Sequence, residues 1–373
     1  MSSTFLNPRY PDLGLNNLLP SVAARLRLDR PTIPLPPAER YVVLLVDGLG
    51  WHQLEEYADH AETMAAHLPR ALRLTCGAPS TTATSLTSLG CGVPPGEHGV
   101  VGYSFREPSV DRVINALTWE GGPDDVPGFA QARTVFERLA AEGHQSSAVT
   151  LARFANSALT RLAFAGTTLL PVTEEGSLEQ VGDLVDEALT HSRLVYCYER
   201  MLDHTGHGFG VGSWQWLERL AQVDDLVAHL ERSLPADACL LITGDHGMIN
   251  VPEPSRLTLE DEPRLAGASA VGGEPRFRHV YGDDPRALAW AWSTVLGERA
   301  SVLRREEAIE AGWFGPRVTG LSAARIGDVV AAMTEDFAVM TRRTPGEFGL
   351  VGMHGSLTPA EMEVPLLVVS GAR

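Results

Sequence analysis

The chain has 373 residues, of which 44% are hydrophobic, and its formal net charge at pH 7 is −17. This length is sufficient for one large domain or two domains with a buried core. The acidic balance excludes the basic face that a nucleic-acid polymer requires, and it argues against anchoring to anionic membranes.

Short apolar runs alternate with helical patterns over the first 250 residues. The predicted strands are 41–46, 71–75, 146–150, 193–198 and 238–247, the last of which ends in a polar turn. The predicted helices are 52–68, 134–143, 178–191 and 214–234. This alternation predicts an α/β fold with a mostly parallel central sheet flanked by helices.

Residues 251–349 differ from the rest, because they are richer in Pro, Gly and Arg and their elements are shorter. Runs at 276–282, 287–296 and 328–333 indicate a small α+β insertion. A final strand is predicted at 364–370. We therefore expect a catalytic core formed by 1–250 and 350–373, with 251–349 as an insertion or cap within the same domain.

The cysteines and the amino terminus indicate the compartment. The four cysteines include no CxxC pair, and Cys197 and Cys239 lie in apolar strand-like runs, which predicts buried thiols and no disulfide framework. The amino terminus lacks the pattern of a signal peptide, and no apolar stretch approaches the length of a membrane span. We expect a soluble cytoplasmic protein with no membrane partner.

Carboxylates and imidazoles follow the predicted strands at their carboxyl ends. They are Asp47, Asp203, His207, Asp245, His246 and, in "GMHGS", His354. Each alone is typical of a turn or a surface position. Because the carboxyl ends of parallel strands meet at one edge of the sheet, we expect all six side chains to lie together there. The D-x-x-x-H pair at 203–207 is expected on a loop.

This set of side chains predicts a metal centre. Carboxylate and imidazole are ligands of a divalent ion such as Zn²⁺, with Mn²⁺ as the alternative, and six of them suffice for two ions. Two ions can hold the attacking and leaving oxygens of a displacement at phosphorus. The stretch "CGAPSTTATSLTSLGCG" supplies seven hydroxyls between Ser80 and Ser88, any of which at a helix N-terminus is a candidate nucleophile.

These motifs, in their order from Val43 to about Val369, resemble the alkaline phosphatase superfamily, in particular its type I phosphodiesterase and nucleotide pyrophosphatase branch. The resemblance implies two zinc ions on a mostly parallel sheet and a Thr or Ser nucleophile. It implies that one ion is held by the nucleophile with Asp47, Asp245 and His246, and the other by Asp203, His207 and His354. His204 is not expected to be a ligand.

The resemblance also selects the nucleophile. The family's catalytic Thr lies three residues after a proline and sixteen before the histidine of an "HG" motif, and both Pro79 and His98 then point to Thr82. His98 itself is expected to orient the loop. The alternatives to Thr82 are the neighbouring hydroxyls Thr81, Thr84 and Ser80.

Three positions depart from the family pattern. Ala83 stands where the family has a Phe that stacks on the base of the leaving nucleoside, and Tyr103 stands where it has an Asn that donates to the phosphoryl oxygen. Leu202 replaces a proline. Ala83 and Tyr103 are the candidate substrate contacts, Tyr103 either donating from its phenol or only packing. These two changes weaken the case for a nucleotide substrate and leave the metal ligands untouched.

The predicted function is hydrolysis of a small phosphate ester, of the phosphodiesterase type, through a phospho-threonine. Alternatives with the same ligands are a phosphomonoesterase, a phosphonate hydrolase, a di-manganese phosphomutase and a non-catalytic binding protein. The absence of a C-x-P-x-R or S-x-P-x-R stretch argues against a sulfatase. A monoesterase needs a further cation, for which the candidates are Arg106, Arg153 and Arg278, although a surface position is the default for each.

The insertion is expected to roof the substrate pocket. For its aromatic side chains, packing in a core is favoured over contact with a leaving group; they are Phe277, Tyr281, Trp313 and Phe314. The sequence leaves both a monomer and a homo-oligomer open.

Overall fold

The computed structural model describes residues 5–26 and 31–371. Its strands, in chain order, are β1 Arg40–Val46, β2 Leu72–Thr75, β3 Ser104–Glu107, β4 Arg112–Asn115, β5 Ser146–Leu151, β6 Thr168–Val172, β7 Leu194–Glu199, β8 Ala238–Gly244, β9 Ile249–Asn250, β10 Arg256–Thr258, β11 Ala270–Glu274, β12 Phe277–Tyr281, β13 Ala300–Arg304, β14 Val329–Met333, β15 Ala338–Met340, β16 Gly352–Met353 and β17 Glu363–Ser370.

The α-helices alternate with these strands. They are α1 Leu18–Arg25, α2 Trp51–Glu56, α3 Glu62–His67, α4 Thr82–Cys91, α5 Pro95–His98, α6 Val126–Phe129, α7 Val135–Ala141, α8 Ala158–Ala163, α9 Leu178–Leu189, α10 Met201–Phe209, α11 Trp214–Ser233, α12 Pro285–Leu296, α13 Arg305–Glu310, α14 Gly320–Arg325 and α15 Pro359–Met362. Short 3₁₀ turns connect several of them.

A seven-stranded sheet forms the centre of the molecule, in the strand order β2-β17-β8-β1-β7-β5-β6. β17 runs antiparallel to both of its neighbours, and the other pairs of adjacent strands are parallel. The predicted α/β fold with a mostly parallel sheet is therefore confirmed. Because β8, β1 and β7 are adjacent and parallel, their carboxyl ends lie side by side at one edge of the sheet.

Both faces of the central sheet are covered, as the residues of β1 show. Tyr41, Val43 and Leu45 belong to one buried apolar cluster. The alternate residues Val42, Leu44 and Val46 belong to another cluster on the opposite face. Burial on both faces explains why this strand is a continuous apolar run, and it makes the end of β1 a rigid support for whatever follows.

The prediction of one helix over 52–68 is wrong, because the chain breaks it into α2 and α3. Tyr57 leaves the helical region with φ −108° and ψ 31°, and a 3₁₀ turn follows. The carboxylate of Asp224, on α11, accepts hydrogen bonds from the backbone N–H groups of Thr63 and Met64 at 2.9 and 2.8 Å. This cap comes from a distant part of the chain, so local periodicity does not reveal it.

The region 251–349 contains a second, four-stranded antiparallel sheet with the order β11-β12-β14-β13. The helix α12 packs against it in a separate apolar cluster. The four aromatic side chains predicted to pack in a core are buried, which confirms that prediction: Phe277, Tyr281, Trp313 and Phe314. The assignment of 251–349 to the same domain as the catalytic core stays a prediction.

The predicted burial of Cys197 and Cys239 and the predicted lack of disulfides are confirmed, and Cys76 and Cys91 are also buried and unpaired. No helix within 5–26 or 31–371 combines the length and the apolar character needed to cross a bilayer. The cytoplasmic location expected from the sequence stays a prediction.

Candidate metal centre and active site

Three carboxylates gather where the adjacent strands β8, β1 and β7 end. Asp47 directly follows β1, Asp245 directly follows β8, and Asp203 lies in the first turn of α10, just after β7. All three side chains are largely buried. The three carboxylates therefore lie at the carboxyl edge of the sheet, where the sequence predicted them.

The expectation that Asp203 and His207 lie on a loop is wrong, because both belong to the helix α10. The carboxylate of Glu199 accepts the backbone N–H of Met201 at 2.7 Å and that of Leu202 at 3.3 Å, which caps the start of this helix. The four-residue spacing then places Asp203 and His207 on one helical face, with His207 Nε2 3.4 Å from Asp203 Oδ2.

His354 reaches the site on a small two-stranded ribbon. β16 pairs with β9, which begins three residues after His246, so the ribbon holds His354 beside the end of β8. On the other side, the backbone N–H of Ser80 donates to the carbonyl of Gly355 at 3.1 Å. The loop that carries His354 is therefore held between the ribbon and the segment that precedes α4.

Each of the three imidazoles is oriented by a backbone carbonyl that accepts from its Nδ1. These hydrogen bonds are His207 to Gly352 at 2.8 Å, His246 to Gly247 at 3.0 Å and His354 to Ser80 at 2.9 Å. His354 Nδ1 also lies 3.3 Å from the carboxylate of Glu274. Because each Nδ1 carries the proton, the lone pair of each Nε2 is free to bind a metal ion. This is the usual arrangement of metal-ligating histidines.

The Nε2 atoms face the carboxylates. His246 Nε2 lies 3.4 Å from both Asp47 Oδ1 and Asp245 Oδ2. His354 Nε2 lies 3.8 Å from Asp203 Oδ1, and the rings of His246 and His354 stack with their centroids 3.7 Å apart. All six predicted ligands therefore converge on one small volume.

Asp47 and Asp245 each have one hydrogen-bonded carboxylate oxygen. Tyr198 donates its hydroxyl to Asp47 Oδ2, and the backbone N–H groups of Gly48 and His246 donate to Asp245 Oδ1, both at 3.0 Å. Among the described residues, no hydrogen bond reaches three other buried oxygens: Asp47 Oδ1, Asp203 Oδ1 and Asp245 Oδ2. Unpaired buried carboxylate oxygens are unfavourable in a protein, and cations would satisfy them.

The local pKa shifts have the same origin. Burial and the nearby carboxylates of Asp245 and Asp203 raise the pKa of Asp47 well above its usual value, and burial raises the pKa of Asp245. Burial, with the neighbouring imidazoles of His246 and His207, lowers the pKa of His354 far below its usual value. Bound cations would favour ionised carboxylates and neutral imidazoles, so the donor set fits metal ions.

Two groups of these residues have ligand atoms close enough for one ion each, within 4.8 Å of one another: Asp47, Asp245 and His246, and Asp203, His246 and His354. The first group is one of the predicted sets. The second contains His246 where His207 was predicted, although His207 remains in contact with Asp203. The division of the six ligands between two ions stays a prediction.

Thr82 is the first residue of α4, a helix whose ten residues are all buried. Its Oγ1 lies 3.2 Å from His246 Nε2, so the hydroxyl is adjacent to the first ligand group. Two of the alternative hydroxyls donate to backbone carbonyls, Ser80 to Ser356 at 2.6 Å and Thr84 to Val100 at 3.3 Å. The positive end of the helix dipole favours an anion at Thr82.

A cavity of about 220 Å³ opens beside Thr82, Asp47 and Asp203. The rest of its wall is apolar with a few polar groups: Leu86, Leu117, Thr118, Phe154, Ser157, Leu159, Thr160, Phe164, Tyr198 and Arg200. Sequence reasoning did not find this wall, because it combines the end of β7 with loops far apart in the chain.

The prediction that the insertion roofs this pocket is wrong, since the described wall includes no residue of 251–349. The insertion contacts the site from another side, through Glu274 at 3.3 Å from His354 Nδ1. It also packs against the segment after α5: Ser104 Oγ donates to the carbonyl of Gly273 at 3.0 Å, and His279 Nε2 donates to the carbonyl of Val101 at 3.0 Å. Ala83 is fully buried in the core, and neither it nor Tyr103 lines the cavity. Contact of either residue with substrate stays a prediction.

The three arginines proposed as cations lie away from the cavity wall. Arg106 pairs with Asp111, Arg153 pairs with Glu175, and Arg278 is buried against Glu347, with guanidinium–carboxylate distances of 3.0 and 2.5 Å. The default of a surface position is therefore wrong for Arg278. Arg200 lines the cavity instead; its position directly after β7, at the same sheet edge as Asp203, was the signal in the sequence.

Fold and site together define an α/β protein that gathers carboxylates and imidazoles at the carboxyl edge of a mostly parallel sheet. The family model for type I phosphodiesterase / nucleotide pyrophosphatase matches residues 41–357, so the chain belongs to that family. It is a hydrolase that acts on phosphoric ester bonds, in a family of metalloenzymes.

Solved structures with the same fold include murine ectonucleotide pyrophosphatase / phosphodiesterase 5, with a TM-score of 0.71 and 19% identity over 89% of this chain and 88% of that chain. Phosphonoacetate hydrolase from Sinorhizobium meliloti 1021, in complex with phosphonoformate, gives a TM-score of 0.67 and 20% identity over 91% of this chain and 92% of that chain. At these identities the likeness shows the fold alone. Comparison with curated protein sequences gave no match.

Proposed function

We propose that this protein is a phosphodiesterase, similar to nucleotide pyrophosphatases, that uses Thr82 as its nucleophile and two divalent ions, zinc being the favoured metal and manganese the alternative. The observation that carries the proposal is the position of Thr82 Oγ1, 3.2 Å from His246 Nε2 at the start of a buried helix. His246 is in turn 3.4 Å from Asp47 and Asp245.

The ligands fit two roles. Asp47, Asp245 and His246 would hold an ion beside Thr82, while Asp203, His207 and His354 would hold the other. When bound, the ions acidify the nucleophilic hydroxyl and offset negative charge on the phosphoryl oxygens.

The reaction is a double displacement on the chain's own hydroxyl. Thr82 Oγ forms a bond to phosphorus as the bond to the leaving oxygen breaks, and the leaving group departs as an alcohol or alkoxide. Water then attacks the phospho-threonine, the bond from phosphorus to Thr82 Oγ breaks, and Thr82 is regenerated. The helix N-terminus stabilises negative charge at Thr82 in both steps.

The cavity supports a small substrate. Its volume of about 220 Å³ is below the roughly 300–1,000 Å³ of pockets for drug-sized ligands. One similar structure is an inactive murine phosphodiesterase 5 in complex with AMP, and another is a phosphonoacetate hydrolase in complex with phosphonoacetate. The small cavity favours phosphonate hydrolysis as the second candidate activity.

The test is hydrolysis of bis(p-nitrophenyl) phosphate and p-nitrophenyl phosphate by the zinc-loaded enzyme, with and without EDTA. We expect the diester to be preferred and EDTA to abolish turnover. Thr82→Ala should lower kcat by on the order of 10³-fold or more, because it removes the attacking atom. Thr84→Ala, on the same buried helix, is the matched control and should retain turnover.

Metal content is measured for each variant. Wild-type turnover by Thr82→Ala at normal metal content would exclude Thr82 as the nucleophile. Preference for the monoester would identify a phosphomonoesterase. Two bound metal ions with no turnover of either ester would favour a phosphonate substrate.

A further inference from the structure

Arg200 differs from the other residues that line the cavity beside Thr82. Among the described residues of that wall, it is the one that carries a positive charge. Its neighbours on the wall include five large apolar side chains: Leu86, Leu117, Phe154, Leu159 and Phe164. A neutral organic group would need only this apolar wall, so the guanidinium calls for a separate explanation.

The ion pair that Arg200 forms does not cancel its charge. Glu175 is paired with both Arg200 and Arg153, so this group of three side chains carries one excess positive charge. Arg153 is not part of the described wall; half of its side chain is exposed, and its guanidinium lies 5.0 Å from the ring centroid of the wall residue Phe154. Only 22% of the Arg200 side chain is exposed, which makes its charge the one held next to the cavity.

Arg200 also has hydrogen-bond donors to spare. Among the described residues, Glu175 accepts from its Nη1, and the same nitrogen lies 3.7 Å from Met201 Sδ. No acceptor within the described chain meets its Nε or Nη2, although a guanidinium has five N–H donors. Such donors bind anionic oxygens strongly and in fixed directions.

We propose that Arg200 determines specificity by binding a second negative charge on the substrate, beyond the single charge of a phosphodiester. This inference rests on the proposed function for its nucleophile, Thr82, and its metal centre, and not on the preference for a diester. The ligand chemistry is an anionic oxygen group, which has two sources. One is the third phosphoryl oxygen of a monoester; the other is a carboxylate or phosphate on the substituent that stays on phosphorus.

The position of the cavity explains why that substituent enters it. Thr82 and Leu86 are one turn apart on α4, so the cavity extends along the helix that carries the nucleophile. In-line attack places the leaving group on the opposite side of phosphorus from Thr82. The proposal therefore places the group that remains bound to phosphorus in this cavity, beside Arg200.

The test uses three substrates with the same leaving group, p-nitrophenol. Propyl p-nitrophenyl phosphate has one negative charge, 2-carboxyethyl p-nitrophenyl phosphate has a second charge on the retained substituent, and p-nitrophenyl phosphate has a second charge at phosphorus. The metal-loaded wild type is compared with Arg200→Gln. The matched control is Arg193→Gln, because Arg193 precedes the other end of β7 and forms an exposed pair with Glu39.

We expect Arg200→Gln to lower kcat/KM for one doubly charged substrate by about tenfold or more relative to the propyl ester. The doubly charged substrate whose kcat/KM falls relative to that of the propyl ester identifies the source of the second charge. Arg193→Gln should keep the wild-type ratios. A shift of the nearby ligand Asp203 would change all three substrates alike, so the ratios isolate charge recognition from damage to the metal site.

Arg200→Gln ratios equal to those of the wild type would overturn the role of Arg200 while leaving the proposed function in place. Failure of the metal-loaded wild type to hydrolyse any of the three substrates would instead overturn the proposed function, and the inference with it. These two failures are distinguished by the wild type alone.

Discussion

Two regions of this molecule bury charged side chains, and they treat the charges in opposite ways. At the carboxyl edge of the central sheet, three neighbouring side chains have the same sign, and each has a buried oxygen without a hydrogen-bond partner: Asp47, Asp203 and Asp245. Around the second sheet, three buried arginines each form a close pair with a carboxylate: Arg276–Glu361, Arg278–Glu347 and Arg325–Glu107.

The paired charges around the second sheet have a structural role, whereas the unpaired carboxylates at the sheet edge have a functional one. Removing a charge from water is unfavourable in both regions, but a buried pair offsets that loss within the chain itself. At the sheet edge, no arginine or lysine within the described residues pairs with the three carboxylates, so they favour a bound cation. Position in the fold agrees with this, because the unpaired charges lie beside a cavity and the paired ones join the second sheet to its surroundings.

The largest expected effect comes from removing one charge of the unpaired set. In Asp245→Asn, the amide oxygen can still accept from the N–H groups of Gly48 and His246, so the fold should be kept. We expect metal content to fall and turnover to fall by on the order of 10³-fold or more. Metal analysis and steady-state kinetics measure both.

The same variant should behave oppositely without metal. After chelation, Asp245→Asn should unfold at a temperature equal to or higher than that of chelated wild type, because it relieves repulsion among three clustered carboxylates. A chelated variant that is clearly less stable than chelated wild type would show that these charges stabilise the fold by themselves. The contrast between the two regions would then be lost.

The paired region should show the reverse pattern. Arg276 donates to Glu361 through Nε at 2.7 Å and Nη2 at 2.8 Å, and both side chains are fully buried. Arg276→Met leaves the carboxylate of Glu361 buried without its partner and should destabilise the protein by about 3–5 kcal/mol. Urea unfolding measures this change, while turnover per folded, metal-loaded molecule should be retained.

A double variant tests whether the unpaired charge is the cause. In the wild type, the backbone N–H of Ser356 donates to Glu361 Oε1 at 3.0 Å. In Arg276→Met with Glu361→Gln, the oxygen of the neutral amide can still accept this hydrogen bond. The double variant should be more stable than Arg276→Met alone by about 1 kcal/mol or more. Equal stability would mean that lost packing, rather than the stranded charge, accounts for the effect.

The sequence was a good guide to the unpaired charges and a poor guide to the paired ones, for a physical reason. Asp47 and Asp245 directly follow apolar runs that can only be buried strands, so a local pattern fixed their place at the sheet edge. The partner of Arg276 is 85 residues away in the chain, and that of Arg325 is 218 residues away. No local pattern predicts which distant carboxylate a buried arginine meets.

The cavity wall was missed for the same reason. Phe154 and Phe164 come from the loop after β5 and the end of α8, and Leu117 comes from the segment after β4, so only the folded chain brings them together. Asp203 and His207 were identified as ligands, yet they were expected on a loop. Their helix depends on a cap from Glu199. The stretch "ERMLDHTGH" contains no proline and so permits a helix, but its sequence alone does not predict one.

Buried histidines show a third way to bury an ionisable group, and the expected effect is confined to acidic pH. Burial lowers the pKa of His98 to about 3 and that of His279 to about 4. Their rings are neutral in the folded state, with Val100 N–H donating to His98 Nδ1 at 3.1 Å and Gly327 N–H donating to His279 Nδ1 at 3.1 Å. Neither pairing nor a cation is needed, because the charge itself is avoided.

The sign of the pH dependence follows from these shifts. Below the usual histidine pKa of 6.5, the unfolded chain binds a proton that folded His279 does not bind until about pH 4, so stability falls as the pH falls through this window. His279→Gln should reduce the loss of stability between pH 7 and pH 5 by about 2 kcal/mol. Urea unfolding of chelated protein at both values measures it, with His60→Gln, at an exposed position, as the control. An unchanged loss in His279→Gln would mean that His279 gains its proton in the folded state, and a change in His60→Gln would mean that burial is not the cause.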